Sequence, residues 1–191
     1  MLHRLFFAIN IPDDIRTELV KYQEKWRRYP VRWTKPENLH FTALFLGNVD
    51  DEQLIILRQK ARGMLNSFRP FALKLTEITL GPPQGLANMV WATAVADPEP
   101  AAADLSDALF QIARAAKIAP PNETRPLQLH LTLGRAKGPH LKGVPIAATL
   151  EAAFAVDCVD LMESTLREDG PRYRVVASYN LYENIRTRRC G

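Results

Sequence analysis

The sequence predicts an α+β protein with two pseudo-symmetric lobes, each built on a mainly antiparallel sheet with flanking helices. Segments with the two-residue apolar period of strands are interspersed with segments of helical period. One short apolar segment that contains a histidine and a threonine occurs twice, at residues 38–47 and 127–135, and both copies run into a glycine. We therefore expect residues 1–191 to form a single two-lobed domain with one copy of this segment in each lobe.

Three segments combine the apolar stripe of an amphipathic helix with a helix-start signal. In the first, Pro12 stands at an early helical position, Asp13 and Asp14 favour the positive end of the helix dipole, and Pro30 ends the segment. The predicted helices cover residues 12–29, 50–67 and 101–117. Residues 147–153 are interpreted as a short helical turn.

The other apolar segments are short, bounded by turn residues, and predicted to be strands. Residues 71–80 show the strand period plainly, because Phe71, Leu73 and Leu75 alternate with smaller or polar neighbours. The predicted strands comprise residues 4–10, 38–47, 71–80, 89–96, 127–135, 154–161 and 173–181. Polar segments with proline or glycine are predicted loops or turns, at residues 32–38, 119–126, 137–145 and 164–171.

Composition bounds the function only weakly. The net charge of +4 hints at an anionic partner and no more, and no apolar run is long enough to cross a bilayer. The apolar run at residues 5–9 is too short for a signal peptide and is interpreted as a buried first strand. Cys158 and Cys190 do not make a disulfide framework, so we expect two reduced thiols in a cytoplasmic protein.

The repeated segment uses two of the four histidines in the pattern apolar-His-apolar-Thr-apolar. On a strand, side chains two residues apart share a face and lie about 6.5 Å apart, so His40 stands beside Thr42 and His130 beside Thr132. A single His-x-Thr occurs often by accident, but a repeat with matching flanks favours a functional site. If two lobes face each other, both pairs meet in one cleft.

Two histidines on opposite sides of a bound group can act as general acid and general base. Hydrolysis at phosphorus needs both, since one group takes a proton from water and the other gives a proton to the leaving oxygen. The threonine hydroxyls would donate to phosphate oxygens, and Arg135 would add a charged, bidentate contact. Because the two motifs are nearly symmetric, the residues alone do not order the two histidine roles.

Other interpretations of these residues are weaker. Two histidines without a third ligand in an evident cluster do not make a catalytic zinc site, so we expect no metal and no cofactor. His3 and His140 lack the pattern and are expected at the surface. Three aromatic residues are interpreted as core rather than ligand-stacking residues; these are Trp33, Trp91 and Tyr173.

The sequence resembles the RNA 2',3'-cyclic phosphodiesterases, also named 2'-5' RNA ligases, of the two-histidine phosphoesterase superfamily. The resemblance rests on two His-x-Thr-x motifs at residues 40–43 and 130–133, on an opening strand at residues 4–9, and on a C-terminal stretch that contains Gly170 and Tyr173. It covers nearly the whole chain. Ala43 and Leu129 depart from the residues that are usual in the family at these positions.

The resemblance implies a two-lobed fold with an open cleft and hydrolysis of RNA ending in a 2',3'-cyclic phosphate to a 2'-phosphate. It makes His40 the proton donor to the departing 3' oxygen and His130 the acceptor that activates water. The implied partner is RNA with a cyclic phosphate end, without a membrane, and we expect a monomer. Lys35 and Arg125, in loops that flank the motifs, are candidates to hold the RNA backbone together with Arg135.

Two other functions stay open. One is a related two-histidine enzyme that acts on small cyclic nucleotide phosphates, or that joins RNA ends by the reverse reaction. The other is a non-catalytic module that binds RNA or a nucleotide. The intact histidine and threonine of both motifs favour catalysis, because binding alone does not need two titrating groups.

Overall fold

A computed structural model describes residues 1–121, 129–167 and 170–182. Within these ranges three α-helices accompany a nine-stranded sheet, and the helices are α1 (Asp13–Lys25), α2 (Asp51–Leu65) and α3 (Pro100–Ala115). The strands are β1 (Leu2–Asn10), β2 (Val31–Trp33), β3 (His40–Asp50), β4 (Phe71–Gly81), β5 (Met89–Asp97), β6 (His130–Ala136), β7 (Ala148–Val156), β8 (Cys158–Arg167) and β9 (Gly170–Asn180). Every strand pair is antiparallel, which confirms the predicted α+β class.

The strand order across the sheet is β7-β4-β5-β6-β3-β1-β8-β9, with β2 paired to β6. The middle of the chain therefore builds one half of the sheet, and both ends of the chain build the other half. The halves join where β3 pairs with β6 through Phe41 and Leu131. Because the ladder continues through this pair, the division into two lobes stays a prediction.

The larger core lies on one face of the sheet. Leu5, Phe7 and Ile9 of β1 are at most 1% exposed and belong to the same buried cluster as Leu57 of α2 and Leu109 of α3. These residues are the apolar positions of one face of β1. We call this side of the sheet the back face.

The opposite side, which we call the front face, carries a separate small cluster. Phe6, Ala8 and Met162 are buried there, with Phe45 and Tyr173 packed against them. Phe6 and Ala8 alternate along β1 with the back-face residues, as strand geometry requires. The front face is the side on which the first His-x-Thr motif lies, since Ala8 pairs with Thr42 and Asn10 with His40.

Helix α2 begins where the sequence predicts it. Asp50 caps the helix by accepting a hydrogen bond from the Gln53 backbone N–H at 2.8 Å, and the Gln53 side chain accepts from the Asp50 N–H at 3.1 Å. This reciprocal pair satisfies two backbone donors that the first helical turn leaves without partners. Helix α1 ends earlier than predicted, at Lys25, and a turn carries the chain to β2.

Four local predictions are wrong. In the turn predicted at residues 164–171, residues 164–167 end strand β8 and residues 170–171 begin strand β9. Residues 147–153 form most of strand β7, because β4 offers a long antiparallel partner, with Leu73 opposite Phe154. The predicted strand 154–161 is interrupted at Asp157, and its two parts, β7 and β8, lie in different halves of the sheet. The predicted loop 32–38 contains the end of strand β2, which pairs with β6 through Val31, Arg32 and Trp33.

The expectations for cysteines and surface histidines have mixed outcomes. The prediction of a reduced thiol at Cys158 is wrong, because Cys158 is disulfide-bonded. Cys190 lies outside the described residues. His140 is exposed as expected. His3 is mostly covered, with 15% of its side chain exposed. Within the described ranges, no helix is both long and apolar enough to span a membrane.

Candidate active site

The two His-x-Thr motifs meet at the junction between the two halves of the sheet. Phe41 and Leu131 face each other in register and are buried on the back face. The residues that flank them therefore point to the front face. In an antiparallel pair this register sets His40 across from Thr132 and Thr42 across from His130.

These four side chains and Arg135 line one cleft of about 290 Å³. The structure thus brings together all five residues that the sequence predicts for the site. The cleft has two further walls, one from the segment around β2 and one from the start of β9. The other lining residues are Arg32, Trp33, Thr34, Lys35, Asn38, Gly170, Pro171 and Tyr173.

His40 is held by contacts to both of its ring nitrogens. Its Nδ1–H donates to the Asn38 carbonyl at 2.8 Å, and its Nε2 lies 3.2 Å from Thr42 Oγ1. Since a carbonyl only accepts, Nδ1 carries a proton, and Nε2 is the ring nitrogen that faces Thr42. Burial lowers the pKa of His40, and the hydrogen bond to Asn38 opposes that effect.

Two aromatic rings enclose the His40 imidazole. Phe6 stacks on it with ring centroids 5.1 Å apart, and Tyr173 meets it edge-on, also at 5.1 Å. Asn38 ties this wall together, because its side-chain amide donates to the Pro171 carbonyl at 3.1 Å while its own carbonyl holds His40. The position of the first histidine thus depends on β1, β9 and the turn before β3.

His130 has a different environment. Its ring stacks on the indole of Trp91, with centroids 4.0 Å apart and planes inclined by 26°. Trp91 is 6% exposed and lies on β5, beside Gly81 of β4. A Cβ at Gly81 would overlap the indole ring, so the glycine provides the space in which Trp91 supports His130.

The wall from β2 is fixed by a buried glutamine of α1. Gln23 is 6% exposed, and its amide donates to the carbonyls of Thr34 and Leu133, both at 3.0 Å. The Thr34 hydroxyl donates to the Thr132 carbonyl at 2.8 Å. A Cβ at Gly134 would overlap Val31 and Trp33, which explains why the second motif runs into a glycine.

Arg135 lies at the mouth of the cleft, where it is exposed and its Nη1 approaches the Met89 sulfur at 3.0 Å. Burial raises the pKa of Tyr173, and the positive charges of Arg135 and Arg4 act against that rise. The phenol therefore lies within the field of two guanidinium groups. Lys35 also lines the cleft, whereas Arg125 lies outside the described residues.

Across the described ranges, no group of three histidine, cysteine, aspartate or glutamate side chains is arranged to hold a metal ion. The functional groups in the cleft are imidazoles, hydroxyls and guanidiniums. Such a set can transfer protons and bind the oxygens of a phosphate.

Comparison with known proteins assigns the chain to a family. The model of the family described as LigT like Phosphoesterase matches residues 9–91. An RNA 2',3'-cyclic phosphodiesterase of Methanocaldococcus jannaschii is 30% identical over 92% of this chain and 99% of its own length. The chain belongs to the LigT-like phosphoesterase family. With the family the enzyme class is also established, and this LigT-like phosphoesterase is a phosphodiesterase.

Solved structures of similar proteins share the fold. The protein TT0787 of Thermus thermophilus has a TM-score of 0.82 and 28% identity, over 95% of this chain and 99% of that one. E. coli LigT, in a complex with 3'-AMP, has a TM-score of 0.79 and 25% identity, over 96% of this chain and 100% of that one. The LigT-like fold therefore extends over nearly the whole chain.

Sequence reasoning missed the aromatic surroundings of the two histidines. Trp91 stacks on His130, Tyr173 borders His40, and Trp33 lines the cleft. Trp91 and Tyr173 are distant in sequence from the histidines that they contact, so no local period marks them.

Proposed function

We propose that this LigT-like phosphoesterase hydrolyses RNA with a 2',3'-cyclic phosphate end to a product with a 2'-phosphate. The observation that carries the proposal is the cross-strand register at the sheet junction, which places each histidine opposite the threonine of the other motif. A cyclic phosphate between the strands would be within reach of two proton-transfer groups and two hydroxyl donors. The name of the M. jannaschii relative supports RNA as the substrate class.

The proposed reaction is a single displacement at phosphorus. His130 accepts a proton from water as the water oxygen attacks, the bond from phosphorus to O3' breaks, and His40 gives its proton to O3'. Thr42 and Thr132 donate to the non-bridging phosphate oxygens, and Arg135 offsets their negative charge. The product keeps its phosphate on O2', and the two histidines exchange protonation states.

The environment of His40 suits a proton donor that becomes charged only with substrate bound. Burial lowers the pKa of His40 and favours the neutral ring. An anionic phosphodiester beside Nε2 would favour the imidazolium, because an opposite charge stabilises the charged form.

Three finer features belong to the same proposal. A 5'-hydroxyl in place of water would give a 2'-5' link, so RNA ligation is the corresponding reaction with a second RNA end. The 3'-AMP bound to E. coli LigT supports a nucleoside phosphate as a ligand of the cleft. A monomer in the cytoplasm stays a prediction.

The deciding experiment is incubation with a synthetic oligonucleotide that ends in a 2',3'-cyclic phosphate. Chromatography that separates 2'-phosphate from 3'-phosphate products should show only the 2' isomer. A 3'-phosphate product, or an unchanged cyclic end with folded protein, would contradict the proposal. The matched control is His140→Ala, which removes an exposed histidine outside the cleft and should leave the product and the rate unchanged.

We further propose that the reaction is independent of metal ions, because imidazoles and hydroxyls supply all the groups that the displacement uses. Full activity should persist after dialysis against a chelator. Loss of activity that a divalent cation restores would contradict this part of the mechanism. The identity of the product would still test the proposed reaction separately.

A further inference from the structure

An aromatic surface continues from the cleft along the front face of β1, β3, β8 and β9. Phe6 stacks on His40, Tyr173 lies 5.2 Å from Phe6, and Phe45 packs against the same cluster. Phe45 and Tyr173 are only half-buried, while helices α2 and α3 contact the strands of this half from the back face. We call Phe6, Phe45 and Tyr173 the aromatic shelf.

A positive charge lies at the far end of the shelf. Arg4 is exposed and lies two residues before Phe6 on β1, so the two side chains share the front face. Its guanidinium carbon lies 5.1 Å from the centroid of the Phe45 ring. Arg4 is four residues from Ala8, the partner of Thr42, so about 13 Å of strand separates it from the motif.

Among the described residues, two acidic groups near the shelf, Glu163 and Asp160, are both engaged by other side chains. Glu163 is engaged by His3 at 2.8 Å and by Arg174 at 2.6 Å; its strand partner Leu5 points to the back face. Asp160 shares the front face through its pairing with Ala8, but it is only 8% exposed and accepts the Asn10 amide at 2.6 Å. The shelf therefore presents aromatic rings with guanidinium groups at both ends, Arg135 at the cleft and Arg4 away from it.

We propose that the aromatic shelf and Arg4 bind the single-stranded RNA segment that precedes the cyclic phosphate end. A base would stack on the half-exposed rings, and a backbone phosphate upstream of the reacting one would contact Arg4. Aromatic platforms combined with cations that follow the backbone are the usual means of binding single strands without reading sequence. The inference rests on the proposed function, because it assigns the path of that same substrate.

The chemistry of the face favours RNA over a protein partner. A docking surface for a second copy of the chain would be expected to present a contiguous apolar patch. Here a guanidinium covers the outermost ring, and the shelf leads into a cleft built to hold a phosphate. The phosphates of a nucleic acid strand match the positive charge of Arg4, and such a strand can follow the aromatic shelf into the cleft.

The test compares two substrates of different length, a nucleoside 2',3'-cyclic phosphate and a short oligonucleotide with the same end. Arg4→Ala should raise KM for the oligonucleotide by about tenfold, the effect of losing one charge-assisted contact, and leave the nucleoside kinetics unchanged. The slope of log affinity for the oligonucleotide against log salt should fall by about 0.7, as expected for one phosphate contact of a single strand. Arg4→Lys should retain most of the affinity and the salt slope.

Lys60→Ala is the matched control, since it removes an exposed cation from α2, which packs on the back face. This variant should leave KM for both substrates unchanged. Equal effects of Arg4→Ala on KM for both substrates, or no effect on either, would contradict RNA binding by the aromatic shelf and Arg4. The proposed function would still stand. If the wild-type protein hydrolyses neither substrate, the proposed function is contradicted instead.

A concentration-dependent dimer that Arg4→Ala disrupts, together with length-independent KM values, would assign the face to a second copy of the chain and refute the RNA path. Analytical ultracentrifugation of the wild type and the variant settles this outcome. Because Arg4 is exposed, its substitution should not affect folding, and a thermal unfolding curve checks that.

Discussion

Phe41 and Leu131 form the residue pair through which the two halves of the sheet meet. Both side chains point into the core on the back face, with 1% and 0% of their surfaces exposed. Their pairing fixes the relative position of the two His-x-Thr motifs, because each motif flanks one member of the pair. The geometry of the proposed site and the packing of the core are therefore set by the same contact.

The first prediction concerns the two histidines as a pair. His40→Ala and His130→Ala should each lower kcat by about 10²- to 10⁴-fold, the usual contribution of a general acid or base. Because both act in one turnover, the double variant should lose less than the product of the two single losses. Single-turnover kinetics with a cyclic-phosphate oligonucleotide measures all three, and circular dichroism verifies the fold. A folded single variant with wild-type kcat would refute the two-histidine mechanism.

Local sequence patterns were sufficient to predict the motif strands. The alternation of Phe41 with His40 and Thr42 sets one residue in the core and two on the front face, and a period of two is a local property. The Asp50 cap of α2 could likewise be predicted from its position before an apolar stripe.

Features that depend on distant partners could not be predicted in the same way. Strand β2 is three residues long and is secured by Gln23, whose amide also binds Leu133, 110 residues away in sequence. Strand β7 looked helical because alanines suit a helix, and only its pairing with β4 decides its conformation. The contact of Trp91 with His130 follows from strand order, which no local period encodes.

The second prediction concerns the pH dependence of activity. If His40 is the acid, the alkaline limb of the kcat/KM profile belongs to it and should lie below the ordinary histidine pKa of 6.5, because burial lowers the pKa in the free enzyme. The corresponding limb of kcat should lie at higher pH, since the bound phosphate favours the imidazolium. His40→Ala should flatten the alkaline limb. Loss of the acid limb instead would reverse the two histidine roles.

The third prediction concerns stability, where His3 and His40 should act in opposite directions. Hydrogen bonds to Glu163 and then Asp51 raise the pKa of His3, so its stabilisation is complete below pH 6.5 and is lost as pH rises through the raised pKa. Burial lowers the pKa of His40, so its neutral ring favours the fold above pH 6.5, and this contribution is lost as pH falls through the lowered pKa.

Urea unfolding across the pH range should therefore show two opposite trends. The free energy difference between wild type and His3→Gln should shrink as pH rises, and that between wild type and His40→Gln should grow. Parallel trends for His3 and His40 would contradict the assignment of their environments.

The fourth prediction concerns the ring beneath His130. Trp91→Leu keeps an apolar side chain but removes the stacked ring, whereas Trp91→Phe keeps a smaller ring. A cation over an aromatic face gains about 0.5–2 kcal/mol, so kcat should fall by roughly 2- to 30-fold in the leucine variant and recover partly in the phenylalanine variant. KM should change little, because the indole supports the histidine rather than the substrate. Equal kcat values in both variants would show that Trp91 acts only by filling space.

The last prediction concerns Gly81, whose missing Cβ makes room for Trp91. In Gly81→Ala the new methyl group would overlap the indole ring, so either the tryptophan or strand β4 must shift. Overpacking of this kind typically costs about 1–3 kcal/mol of stability, and the displaced ring should carry His130 away from its position and lower kcat.

Gly63→Ala is the matched control, since Gly63 lies in α2 with open space around its Cβ position. That control should gain about 0.5–1 kcal/mol of stability with unchanged kcat. Thermal unfolding and steady-state kinetics of the two variants test both effects, and a Gly81→Ala protein as stable and active as Gly63→Ala would show that Trp91 does not depend on this glycine.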